Sequence, residues 1–172
     1  MNKLKYDIHL PNNFAVGSLP LSPTIKKIRN TILIDNHTFC LIDQCLDLYF
    51  FQHETTSVKL KAPSYAEKDD DRYAFKISYT KLFQYMFGRK LNEKDYSIYF
   101  HKCNSGNEEE FDILYLGNNK FFIRFDFAYP AFIFDFQNEK FAPIQLQNEL
   151  SSAVVISKYS EHSLLYVKSQ GN

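Results

Sequence analysis

Apolar and polar residues alternate most strictly over residues 120–136, Lys-Phe-Phe-Ile-Arg-Phe-Asp-Phe-Ala-Tyr-Pro-Ala-Phe-Ile-Phe-Asp-Phe, where phenylalanine recurs at every second position on both sides of a proline-marked turn. A period of two is the spacing of a half-buried strand, and two such runs around a turn predict a β-hairpin. Any symmetric turn around Pro130 places Phe121, Ile123, Phe125 and Phe127 on one face with Phe132, Phe134 and Phe136. The opposite face then carries Phe122, Arg124 and Asp126 with Ile133, Asp135 and Gln137, which sets Asp126 and Asp135 near Arg124.

Tyr96, Ile98 and Phe100 alternate in the same way, Asn104-Ser105-Gly106-Asn107 reads as a loop, and residues 111–116 read as the returning strand. With Gly117-Asn118-Asn119 as a further turn, the pattern predicts a four-stranded antiparallel meander over residues 96–136. Strands are also predicted at residues 4–10, 31–34, 54–62 and 74–78, and the tail, through Phe141-Ala142-Pro143, Val154-Val155-Ile156 and residues 164–167, adds strands to the same sheet. Residues 38–51 fit both periods, Leu41, Cys45, Leu48 and Phe51 being helical in spacing; strand is favoured for 37–43 and 46–52. Two short helices complete the prediction. One covers 23–30, with Ser22 as N-cap and Pro23 in the first position; the other covers 80–88, capped by Thr80, with Leu82, Phe83, Met86 and Phe87 stopped by Gly88. Residues 63–72, dense in mixed charge, read as a surface loop.

Composition sharpens the class. The 172 residues, 45% of them hydrophobic, fit one globular domain spanning 1–172. With 17 Phe and 12 Tyr but 2 Met and no Trp, bulky rings dominate, which favours an α+β fold rich in strands over a helical bundle. Lys and Arg number 20, as do Asp and Glu, so no overall field draws the chain to nucleic acid or to membrane. The N-terminal residues up to Pro11 hold no apolar run of signal-peptide length, and no segment approaches membrane-spanning length. Three cysteines, an odd number, suit reduced thiols, so a cytoplasmic location is expected. Abundant Lys, Asn, Ile, Phe and Tyr, encoded by AT-rich codons, point to an AT-rich microbial or phage genome.

The candidate chemistry is sparse. Asp126 and Asp135 are weak catalytic candidates: two close carboxylates repel, which raises one pKa and suits acid/base work or a cation, but a nearby arginine converts them to a surface salt-bridge cluster. An RNA-reading strand at 120–127 is disfavoured, since its glycines are missing and Asp126 would repel phosphate. Cys40, Cys45, His101 and Cys103 are zinc-ligand types, and His101 and Cys103 on a strand would share a face, yet paired ligand spacing is absent and no metal is expected. No Gly-x-Ser-x-Gly occurs, and the 5 glycines lie too far apart for a phosphate cradle, so no cofactor is expected. His37-Thr38 and His162-Ser163 lack the intervening residue of a two-histidine phosphoesterase motif.

Two acidic clusters remain. Asp69, Asp70 and Asp71 beside Tyr73, and Glu108, Glu109 and Glu110, sit next to predicted turns, where carboxylates rimmed by tyrosine can steer a basic partner surface. The sequence therefore reads as a non-enzymatic protein-binding module, such as an inhibitor or neutralising protein of the toxin-immunity or phage-antagonist type. The alternatives are a small hydrolase or nuclease using Asp126 and Asp135 with a histidine, and a structural subunit of a larger assembly.

Overall fold

The computed structural model describes residues 21–35, 37–52, 60–105, 112–125, 129–135, 138–144, 155–160 and 163–167. The expected strands at 4–10 and at most of 54–62 lie outside these residues. Strands β1 (Ile28–Asp35), β2 (Thr38–Asp43), β3 (Leu48–Gln52) and β4 (Phe75–Ile77) form an antiparallel sheet in that order. Cys40 opposite Phe50 and Ile42 opposite Leu48 point into the main core; Phe39 opposite Phe51 and Leu41 opposite Tyr49 build a second cluster on the reverse face with Tyr73. A strand buried on both faces shows a continuous apolar run instead of alternation, which is why residues 38–51 fit two periods at once.

The expected helix over 23–30 does not form. Ser22 closes a turn by accepting the Ile25 amide, and β1 begins at Ile28, where the β-branched Ile28, Thr31 and Ile32 pair along β2. The second helix, α1 (Tyr79–Phe87), does form and ends where Gly88 adopts φ 64°. Its N-cap is Ser78, not Thr80, and it makes no side-chain cap bond. The Tyr79 amide instead donates to Asp47 Oδ1 at 3.0 Å, so a carboxylate from the β2–β3 turn sits at the positive end of the helix. Tyr79, Leu82, Phe83 and Met86 form its buried stripe.

Residues 96–102 are the larger correction: they lie in a helix, α2 (Glu93–Ser105), not in the first strand of the meander. Asn92 and Asp95 cap it reciprocally, Asn92 Oδ1 accepting the Asp95 amide at 2.9 Å and Asp95 Oδ2 accepting the Asn92 amide at 2.8 Å. Asp95, Ile98, Tyr99 and Lys102 turn inward at helical spacing, so the Tyr96 and Phe100 that suggested a buried strand face point out. Its last turn is tied to the first sheet through the Lys102 carbonyl, which accepts from Arg29, and the Cys103 carbonyl, which accepts from Gln44 Nε2 at 3.0 Å.

The meander exists one strand later: β5 (Asp112–Gly117), β6 (Lys120–Arg124), β7 (Ala131–Asp135) and β8 (Lys140–Ile144) pair antiparallel in sequence order. The β5–β6 turn uses positive φ at Gly117, Asn118 and Asn119, residues that tolerate it. Phe121 opposite Phe134 and Ile123 opposite Phe132 face the main core, as the alternation requires. Phe50 of β3 meets Phe121 edge-to-face at 6.3 Å, and Phe83 of α1 meets Phe125 at 5.5 Å, so the two sheets and α1 share one core. The reverse face of β6 is not a solvated polar surface: Phe122, Ala131 and Arg124 are buried there. The outermost strand, β8, is largely exposed and carries Pro143. The tail strands β9 (Val155–Ser160) and β10 (Ser163–Val167) pair with each other in a separate two-stranded sheet instead of extending the meander. The architecture is α+β, with two helices among the described residues.

Candidate functional site

Asp135 lies on the same face as Phe122 and Ile133, as predicted, but not beside Arg124. In register it lies opposite Lys120 on β6 and Lys140 on β8, whereas Arg124 is four residues further along β6, about 13 Å at strand rise. Asp135 also accepts the Asn138 amide at 3.1 Å and Asn138 Nδ2 at 3.0 Å, which ties down the β7–β8 turn. Two lysines across the strands and a turn amide are a structural use of a carboxylate. Asp126 lies outside the described residues, as do Glu108, Glu109 and Glu110.

Of the zinc-type residues only Cys45 and Cys103 come near each other among the described residues. His101 and Cys103 are two apart on α2, so they fall on different sides of the helix, His101 exposed and Cys103 half-buried. Cys40 is enclosed in β2, where burial pushes its thiol far above the ordinary range. Among the described residues no group of three or more His, Cys, Asp or Glu side chains is placed to hold a metal ion.

The acidic loop largely neutralises itself. Asp70 accepts Arg72 Nη2 at 2.7 Å, Arg72 Nε at 2.9 Å and Ser22 Oγ at 2.5 Å, and these donors hold its carboxyl well below the usual range. Asp69 accepts the hydroxyl of Tyr73, whose ring is only 3% exposed and packs on Tyr49 and Phe51. Tyr73 is thus a core ring with its polar tip on the loop, not a surface anchor. Asp71 stands fully in solvent, 4.0 Å from Lys68.

Two features were not singled out from the sequence as sites. The first is the outer side of α2, where Phe100 is 70% exposed and Tyr96 54%, one turn apart. The second is an open cleft of about 450 Å³ lined by Tyr65, Lys81, Gln84, Tyr85 and Gly88. The Tyr65 and Tyr85 rings stack there with centroids 4.3 Å apart. Lys81 pairs with Glu67 at 2.7 Å, and the Tyr85 hydroxyl donates to the Glu139 carbonyl at 2.5 Å. The Tyr65 hydroxyl is buried without a hydrogen-bond partner among the described residues. Burial pushes its pKa up, with Tyr85 and Glu139 adding to the effect. The spacing of Tyr65 and Tyr85 carries no local signal, since strand, turn and helix bring them together only in the fold. No family model matches the chain, and no curated protein and no solved structure matches it either.

Proposed function

We propose that this chain is a non-enzymatic module that works by stoichiometric binding of another protein, with the outer face of α2 as its docking surface. Phe100, 70% exposed, carries the reading: a large ring held outward on an ordered helix, with Tyr96 one turn away, is the kind of anchor that fills a partner's pocket. Neither ring belongs to the core clusters among the described residues, so both are free to contact a partner. Asp69 and Asp71, exposed on their own loop, would add charge that speeds association with a basic partner surface without adding much affinity. The specific form proposed is an inhibitor or neutralising protein of the toxin-immunity or phage-antagonist type, working in a reducing cytoplasm, a setting that suits three free thiols. The rival hydrolase or nuclease reading draws no support from Asp135, whose oxygens serve a turn.

The test is affinity capture from the source cell, followed by light scattering of the purified complex. A single partner at one-to-one stoichiometry is expected, with binding weakened at least tenfold by Phe100→Asp, a loss of about 1.4 kcal/mol. Retention of the partner by the double variant Tyr96→Asp, Phe100→Asp would refute the docking surface. Self-association of the pure protein would refute the stoichiometric-binder reading.

A further inference from the structure

We infer that the Tyr65–Tyr85 cleft is a binding site for an organic cation, an alkylammonium or guanidinium group. This does not rest on docking at α2. Two features of its lining give the cleft negative character. Its walls include two stacked tyrosine rings, whose faces attract cations. Gly88, at one end of the cleft, is the C-cap of α1, and the last turn of that helix holds no basic residue, so the partial negative charge of its carbonyls is not offset there. Arg89, next in the chain, is drawn away: it pairs with Asp95 and lies 5.2 Å over the Phe83 ring.

At the hydroxyl end of the tyrosines stands Glu139. Its two oxygens accept the Ser64 amide at 3.1 Å and Ser64 Oγ at 2.8 Å, both neutral donors, and it makes no ion pair among the described residues. Lys81, the one cation lining the cleft among the described residues, is matched by Glu67. The balance of Lys81, Glu67 and Glu139 is therefore one net negative charge. The Tyr65 hydroxyl is buried behind the rings without a hydrogen-bond partner among the described residues, so the ligand meets the rings and not this oxygen. A β-carbon added at Gly88 would meet nothing within 4 Å, so the cleft is open at that end. An anion would be repelled by the charge of Glu139 behind the tyrosines and by the helix carbonyls, and a neutral aliphatic group would gain from neither.

The isolated protein is titrated with N-acetyl-lysine methylamide, N-acetyl-arginine methylamide and spermidine while the Tyr65 and Tyr85 ring signals and the Gly88 amide are followed by NMR. Saturable shifts at these three positions are expected with at least one cation. They are not expected with acetate or with N-acetylnorleucine methylamide. Tighter binding of spermidine assigns the site to a free polyamine, and tighter binding of the amino-acid amides assigns it to a partner's side chain. Glu139→Gln, which keeps an oxygen for Ser64, is expected to weaken binding about threefold, as fits loss of one partly exposed charge. Glu93→Gln on α2 is expected to leave it unchanged. Absence of saturable shifts, or equal shifts with the norleucine amide, would overturn the assignment. Because no protein partner is present, that result would leave the α2 surface untouched, just as retention of a partner by the α2 variants would leave the cleft untouched.

Discussion

Asp95 shows how much one side chain can organise. Its carboxylate takes Arg89, the Tyr129 hydroxyl and the Asn92 amide, so it caps α2 and links that helix to the end of α1 and to the β6–β7 connection. Arg89 beside it, with Tyr129 and Asn92, holds its pKa down at about 2. A folded-state pKa below the unfolded value of about 3.9 means that the interaction stabilises fully above that pH and is lost as pH falls towards 2. Wild type is therefore expected to exceed Asp95→Asn in urea midpoint at pH 6, with the gap closing between about pH 4 and pH 2. A gap that stays constant down to pH 2 would contradict the ion-pair account. The signal for this residue was present as Asn92-x-x-Asp95, a capping pair one methylene shorter than the usual Ser-x-x-Glu. The aromatic alternation just beyond it pointed the other way.

That alternation is the lesson at the level of elements. Tyr96, Ile98 and Phe100 have the period of a strand over five residues, but Asp95, Ile98, Tyr99 and Lys102 have the period of a helix over eight, and the longer pattern with a cap prevails. The hairpin of β6 and β7 was legible because seven aromatic or aliphatic positions agree on one face and the turn is marked. Even there the identity of the reverse face was not, since burial of Phe122 and Arg124 depends on what the rest of the chain lays over them. The assignment of α2 has a direct test in stability. Phe100→Ala is expected to change the free energy of unfolding by less than about 0.5 kcal/mol, because the ring is outside the core. The same change in a buried strand would cost about 3 to 5 kcal/mol. Urea unfolding separates the two.

Across the whole molecule, one aromatic core joins both sheets to α1. Phe50 stacks on Phe75 at 4.6 Å within its own sheet and meets Phe121 of the other. Removing it opens a cavity at the junction, so Phe50→Ala is expected to cost about 4 kcal/mol. Near-UV and far-UV signals should still fall in one transition, because both sheets lose the same support. Two separated transitions would mean that the sheets unfold independently. The α+β class was legible from ring-rich composition and short alternating runs, whereas the division into two meanders was not. It depends on α2 ending the first half, and so on a helix whose aromatic residues imitate a strand. The candidate sites were legible mainly as carboxylates. What the fold adds is which of them are consumed by local pairing, as Asp70 and Asp135 are, and which surfaces are left over.

Pro143 bears on how copies of this chain meet one another. A proline has no backbone hydrogen to give, and it sits on the outermost strand of the second sheet, where growth of a ladder by an incoming extended peptide would start. On the first sheet the β4 margin is occupied by the bridge between Glu67 and Lys76. Fibrous stacking of a phenylalanine-rich chain needs bare strand edges, and at β4 and β8 the fold removes two of the four that its two larger sheets have.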